Sequence, residues 1–327
     1  MKAALVTRYG PPDVVTVGDA PKPVPADNEV LIRVHAATVN RTDCGERGAH
    51  PFFARAFYGW RRPNRTILGM DVAGVVEAVG ANVTALKPGD RVFGMAPSRR
   101  NGAQAEYLCV DEDAPLALLP EGLGFEEGVV CEGAFYANAG LTAIGLAPGH
   151  RILVYGASGA IGTAAVQLAK YYGAEVTAVV AARHVAMARK LGADQVIDYA
   201  TSAYRQLRPD YDFVHDAVGK MSPRDWRRLL KPGGVFATTD IGPKGQSLML
   251  WAWSLVTRSG RVRIPVPSRA SAPAFVRFMR DRLAGGEFRA VIDRSYPLDA
   301  VADAYRYVET GQKQGIVVIE VAGTGRA

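Results

Sequence analysis

The chain has 327 residues, 48% of them hydrophobic and 22% charged, with a formal net charge of +7. That length carries about two domains at roughly 100–200 residues each, and the composition excludes collagen-like, coiled-coil and disordered readings. Cys44, Cys109 and Cys131 form an odd set without CxxC or Cys–His spacing, so neither a disulfide framework nor a four-cysteine zinc lobe is expected.

A reducing cytoplasm is the expected compartment for such cysteine usage. The start, MKAALVTRYGPP, has no apolar core of signal-peptide type. The most apolar stretch, Leu248–Val256, is far shorter than the ~20 residues that span a bilayer. The basic residues fall in scattered pairs, Arg61-Arg62, Arg99-Arg100 and Arg227-Arg228, rather than in one run. A positive charge of this kind suits nucleic acid, an anionic membrane surface, an anionic small ligand or plain solubility.

Residues 1–120 read as mostly strand. Val30–Ala36 alternates apolar and polar residues over a β-branched run, and Val72–Val79 continues in that style. Dense turn signals, among them Gly10-Pro11-Pro12 and Pro88-Gly89-Asp90, point to an antiparallel barrel or sandwich. Beyond Pro120 the rhythm changes. Arg151–Gly156 reads as a buried strand, and Ile161, Ala165, Leu168 and Tyr172 share one face of a helix over Ala160–Tyr172. Strands at Glu175–Val180, Gln195–Asp198, Tyr211–Asp216 and Gly234–Asp240 alternate with helices near His184–Leu191 and Pro223–Leu230. That alternation implies a parallel, doubly wound sheet. The tail reads as helices at Pro273–Gly285 and Ala300–Thr310 and a strand at Ile316–Val321.

The first strand and helix of this second region flank Gly156-Ala157-Ser158-Gly159-Ala160-Ile161-Gly162. Glycines at this spacing close a tight turn and let backbone approach a pyrophosphate seated on the helix amino terminus. The strand-before, helix-after context makes Gly156, Ser158, Gly159, Ala160, Ile161 and Gly162 the candidate dinucleotide loop. A carboxylate about 20 residues further on, at the end of the second strand, would hold the ribose hydroxyls of NAD. That slot reads Val180-Ala181-Ala182-Arg183-His184 instead. Arg183 suits a 2′-phosphate, so NADP(H) is the expected cofactor. Its alternative is an exposed residue of the first helical turn.

From end to end the chain resembles the medium-chain dehydrogenase/reductase superfamily, in its zinc-independent quinone oxidoreductase branch. The stretches that carry the resemblance include VLIRVHAATVNRTD (30–43), LGMDVAGVVEAVG (68–80), KPGDRVFG (87–94), LVYGASGAIGTAAVQLAKYYGAEVTAV (153–179), LGADQVIDY (191–199), LKPGGVF (230–236) and VIDRSYPL (291–298). The resemblance implies an α/β protein with two domains. One is a GroES-like β-barrel catalytic domain, residues 1–121 rejoined by 265–327. The other is a doubly wound Rossmann nucleotide-binding domain over 122–264, with the active site in the cleft and a homodimer as the assembly.

Zinc-dependent members of that superfamily carry a cysteine ligand where this chain has Asn40, and a histidine in a GHE motif where it has Gly69-Met70-Asp71. Neither an amide nor a thioether suits catalytic zinc, so no metal site is expected. Asp71 then reads as a capped or paired structural carboxylate. Chemistry without a Lewis acid fits reduction of a conjugated enone or quinone, in which hydride adds at the β-carbon and charge collects on the carbonyl oxygen. By resemblance, Asn40 stands near the nicotinamide with an amide able to donate, and Thr42 occupies the hydroxyl position of a proton relay. Gly140-Leu141-Thr142-Ala143 looks like the motif whose threonine contacts nicotinamide, but it lies too near Pro148. The slot falls on Tyr136, whose phenol can donate to an oxyanion or supply the proton, or simply pack.

The same resemblance assigns Tyr199 to the adenosine phosphate end, and Ala217, Val218 and Ile241 to the ribose and nicotinamide. His50–Tyr58 and Leu248–Val256 are aromatic-rich. The first is a candidate pocket wall for a small apolar enone, quinone or carbonyl substrate, and the second reads as interface or core before pocket. His35 and His215 lie in strand patterns and read as structural. Alternatives within the enzyme class are an enoyl-thioester reductase and a zinc-free carbonyl reductase or alcohol dehydrogenase. Outside it stands an NADPH-binding structural or RNA-binding protein, although neither nucleic acid nor membrane is an expected partner.

Overall fold

The computed structural model describes residues 1–50, 52, 55–96, 102–201, 203–240, 246–256 and 260–321, with the side chains of Gln246 and Leu248 left out. Ile241 and the Arg99-Arg100 pair lie outside the described residues. The chain divides into two compact units, one made of Met1–Glu132 with Ala270–Ala327 and the other of Gly133–Arg269.

The first unit opens with the antiparallel pair β1 (Lys2–Val6) and β2 (Val15–Asp19). Its hub is β3 (Glu29–Thr38), the alternating run seen in the sequence, buried along nearly all its length. Two helices follow, α1 (Arg41–Gly48) and α2 (Arg55–Tyr58). Then come β4 (Asp71–Val79), β5 (Arg91–Met95), β6 (Tyr107–Asp111), β7 (Leu116–Leu118) and α3 (Phe125–Gly128). Strand β3 pairs antiparallel with β4 and with β6, and its register to β4 shifts at Leu31/Ile32 and at Val34/Ala36. Such bulges bend a strand and raise its twist, which curls the sheet. The core here is aliphatic, with Val30, Ile32, Val34, Val72, Val92 and Val110 all buried.

Helix α4 (Cys131–Ala143) leads into the second unit. There β8 (Arg151–Tyr155), α5 (Ala160–Tyr171), β9 (Glu175–Val180), α6 (Val185–Lys190) and β10 (Gln195–Asp198) follow the expected positions closely. Next are β11 (Tyr211–Asp216), α7 (Pro223–Leu229), β12 (Leu230–Thr238), α8 (Gln246–Val256) and β13 (Val262–Arg263). All six strands run parallel in the order β10-β9-β8-β11-β12-β13, which is the doubly wound order that reverses at the first strand. Strand β12 starts at Leu230, earlier than the expected Gly234, with its register to β11 shifted between Tyr211 and Phe213.

The tail returns to the first unit as α9 (Ala272–Ala284), β14 (Ile292–Pro297), α10 (Val301–Glu309) and β15 (Ile316–Glu320). Val318 of β15 pairs with Thr38 of β3, so the sheet order is β14-β15-β3-β4-β5-β7, with β6 on β3 as well. Strand β14 is a polar edge strand without apolar alternation, which is why periodicity does not reveal it.

Candidate active site

In the second unit the glycine-rich turn joins β8 to α5. Gly156 sits at φ +76°, a conformation open to glycine, and the Gly156 and Ala157 N–H groups donate to Val179 O at 3.1 and 3.2 Å. A Cβ on Gly162 would stand 2.2 Å from Gly156 O, so the first turn of α5 lies against the loop with no room for a side chain. A Cβ on Gly159, the residue capping α5, would meet nothing within 4 Å. The outer two glycines are therefore demanded by the chain's own packing, while the middle one leaves open space before the amino end of a 12-residue helix. That space, with Ser158, Ala160 and Ile161 around it, is a cradle for an anionic group, because the first amides of a helix lack intrahelical partners.

The other cofactor candidates follow neighbouring strands at the same, carboxyl-terminal end of the sheet. Arg183, exposed just past β9, donates from Nε to Nε2 of the buried His184 at 3.1 Å. That bond requires an imidazole with an open acceptor lone pair and steers the guanidinium. Tyr199, after β10, is exposed. The Ala217 N–H donates to Tyr155 O at 3.0 Å, and a Cβ on Gly156 would lie 2.7 Å from the Val218 side chain. Asp216, which the sequence reading did not single out, shapes this last loop. Its carboxylate accepts from the N–H groups of Val218, Gly219 and Met221 at 3.0, 2.9 and 2.7 Å.

Helix α4 carries Tyr136, half-buried, one turn after Gly133, whose Cβ would touch the Ala160 backbone at 3.0 Å. Thr142 lies exposed on the same helix with its hydroxyl donated back to Asn138 O at 2.8 Å. His215 is fully buried on β11, and burial lowers its pKa to about 4, which keeps it neutral. His35 stacks on Phe125 with ring centroids 4.3 Å apart.

The first unit holds a buried polar cluster at the junction of β3, α1 and β4. Asn40, 4% exposed, donates from Nδ2 to Thr38 Oγ1 at 2.9 Å and to Asp71 Oδ2 at 3.2 Å. Both amide protons are thus engaged inside the unit, and the free amide donor expected of Asn40 is not there. Thr38 Oγ1 donates to Asp71 Oδ2 at 3.0 Å, and the Glu132 N–H donates to Asp71 Oδ1 at 2.7 Å. Asp71 is the paired structural carboxylate the sequence indicated. Asp43, three residues past Asn40, accepts from the backbone N–H groups of Asn40 at 2.7 Å and Gly69 at 3.1 Å.

Burial pushes Asp43 up to about 7 and Asp71 up to about 6 against their hydrogen bonds, and it pushes Glu132 well above the usual carboxylate range. The Thr42 hydroxyl hydrogen-bonds the Glu132 carboxyl, and the buried Lys313 faces it. Burial brings Lys313 down to about 8. Glu132 and Lys313 escaped the sequence reading because no spacing relates two residues so far apart. The one signal was a carboxylate ending the apolar run Val129-Val130-Cys131.

In and around α2, Phe52, Phe57 and Trp60 are exposed, with Phe52 edge-on to Trp60 at 6.0 Å. The Arg55 guanidinium lies over Phe52 at 4.9 Å and over Tyr9 at 5.0 Å. Pro51, Phe53 and Ala54 lie outside the described residues.

Residues 26–134 match the family model of the alcohol dehydrogenase GroES-like domain, and residues 191–319 match that of zinc-binding dehydrogenase. The chain is 33% identical to the 2-methylene-furan-3-one reductase of Solanum lycopersicum, over 98% of this chain and 79% of that protein. It is 32% identical to an Arabidopsis thaliana NADPH-dependent alkenal/one oxidoreductase, with the same coverage of both. Among solved structures it is similar to the quinone oxidoreductase from Coxiella burnetii, with a TM-score of 0.85 and 26% identity over 98% of this chain and 99% of that one.

Proposed function

Since the chain belongs to the quinone-oxidoreductase-like branch of the medium-chain dehydrogenase/reductase superfamily, and is an oxidoreductase, we propose that it uses NADPH, without zinc, to reduce the activated C=C of enones or quinones. The observation that carries this reading is the chemistry at the two positions where zinc enzymes bind metal. One is an amide whose protons are held by Thr38 and Asp71, and the other is the thioether of Met70. The protein ligands of catalytic zinc are imidazole, thiolate and carboxylate, and neither a carboxamide nor a thioether is among them.

NADPH, when bound, supplies the hydride. The chain's part is to hold the dinucleotide and to manage charge and protons. The Gly156–Gly162 turn and the first amides of α5 hold the pyrophosphate, and Arg183 takes the 2′-phosphate in place of the carboxylate an NAD site would have. The Tyr136 phenol donates to the carbonyl oxygen as charge collects there. Thr42 carries the proton. Asn40 fixes the Thr38–Asp71 pair rather than touching the carbonyl. The exposed rings of Phe52, Phe57 and Trp60 give a small apolar substrate an aromatic wall.

A cytoplasmic homodimer is part of this proposal. Met249, Trp253 and Val256, spaced for one face of α8, are all exposed and offer an apolar subunit surface. No helix among the described residues is long and apolar enough to cross a membrane. The test is product analysis by proton NMR after turnover of a cyclic enone with NADPH, alongside metal analysis of the purified enzyme. A saturated ketone and substoichiometric zinc are expected; an allylic alcohol, or one zinc per chain required for turnover, would overturn the reading.

A further inference from the structure

Three carboxyls, Asp43, Asp71 and Glu132, are buried together in the first unit, and the chain treats them unequally. Both oxygens of Asp43 accept backbone N–H groups, and both oxygens of Asp71 accept N–H or O–H groups. Glu132 is 3% exposed and meets only the Thr42 hydroxyl, while its Oε2 has no partner among the described residues. A buried carboxylate with one oxygen left without a donor is costlier than the neutral acid. The charged and titratable groups facing it are Asp43 on α1, Asp71 on β4, Tyr58 on α2 and Lys313 between α10 and β15. Two of these carry negative charge that favours a proton on Glu132. Lys313, whose Nζ donates to Gly315 O at 2.5 Å, is the cation that faces the carboxylate once it forms.

We propose that Glu132 is the proton store of the reaction: its buried acid refills the Thr42 hydroxyl as that hydroxyl protonates the reduced substrate. This rests on the enone-reductase reading above. Hydride from NADPH forms the new C–H bond at the β-carbon, and the π pair of the C=C shifts toward the carbonyl as an enolate. The enolate carbon takes the Thr42 Oγ proton while Thr42 accepts the proton of Glu132. Glu132 is left as a carboxylate opposite the Lys313 ammonium, and one solvent proton restores it. The balance is enone, NADPH and one proton giving saturated ketone and NADP⁺. Glu132 acts through Thr42 and is therefore a positioning and proton-supplying residue.

The test uses the full chain as wild type, Glu132→Gln, Thr42→Val and Thr42→Ser. Infrared spectra of the protein without NADPH should show protonated carboxylic acid at neutral pH, part of it from Asp43, and Glu132→Gln should lower that band. With NADPH and a cyclic enone, Glu132→Gln should lower kcat about 10²- to 10⁴-fold, the usual worth of positioned proton transfer. KM and the NADPH Kd should hold. The fall in kcat with rising pH and the solvent deuterium isotope effect on single-turnover protonation should both change in Glu132→Gln. Thr42→Val should reproduce the loss, and Thr42→Ser should restore most of it. An active wild type beside a Glu132→Gln enzyme of equal kcat and unchanged pH profile would overturn the proton store alone. So would an acid band that is undiminished in Glu132→Gln. A wild type inert toward enones would overturn the reductase reading and this role with it.

Discussion

In the proposed reading, one guanidinium just past β9 separates two cofactors. Arg183 is exposed, bonds to His184, and is proposed to meet the 2′-phosphate. A hydrogen bond to a charged group contributes about 1.5–3 kcal/mol, which is about 10- to 150-fold in Kd. Arg183→Ala should weaken NADPH by that factor in a fluorescence titration and leave NADH nearly unchanged; equal weakening of both would remove the basis for NADP(H). Residues of this kind are legible because they sit at a fixed distance from a turn. Asn40 shows where such reading stops. Its position was clear from the resemblance, but the direction of its amide protons depends on Thr38 and Asp71, which only the paired strands β3 and β4 bring together.

Elements were legible where they repeat a simple period. Strands β9, β10 and β11 match the sequence reading residue for residue: β9 is a near-continuous apolar run, and β10 and β11 are short β-branched or aromatic runs between turns. Strand β14 escaped because an edge strand with both faces partly in solvent has no such run. At this scale the glycine loop makes a sharp demand. Gly162→Ala places a methyl 2.2 Å from Gly156 O and 2.6 Å from the Ala157 Cα, neither of which is a flexible side-chain end. Overpacking of this kind costs about 1–3 kcal/mol. The urea midpoint should fall accordingly, and NADPH binding should fall with it because α5 shifts away from its loop. Gly159→Ala, which meets nothing in the protein, should leave the unfolding free energy within about 0.5 kcal/mol of wild type and impair only binding. Matching losses of stability in the two variants would contradict this division.

For the whole molecule, the buried acids set a pH dependence that composition did not disclose. Folding raises Asp43 from 3.8 to about 7 and Asp71 from 3.8 to about 6, so between those values the folded chain holds more protons than the unfolded one. Their contribution to stability is full at the acid end of that window and is lost as pH rises through it. His215, lowered from 6.5 to about 4, slopes the other way below 6.5. Lys313, lowered from 10.5 to about 8, restores stability as pH rises between those values. The clean comparison is therefore wild type against Asp43→Asn. The wild type should lose ground in urea midpoint, relative to the variant, from pH 4 to pH 7, and a constant difference would contradict the raised acid. The charge of +7 has a small-molecule reason in a phosphate-bearing cofactor, while the tail's return to β3 depends on a pairing, Val318 with Thr38, that local pattern does not carry.

The central claim is zinc-free reduction of an activated C=C by NADPH, and initial rates of NADPH oxidation test it most directly. The panel is a cyclic enone, a quinone, an α,β-unsaturated aldehyde and the matching saturated aldehyde, each run with NADPH and with NADH after exhaustive chelation. Turnover of the conjugated substrates with NADPH is expected, with a much higher kcat/KM for NADPH than for NADH and little turnover of the saturated aldehyde. Turnover of the saturated aldehyde alone, or activity that returns only on adding zinc, would contradict that claim.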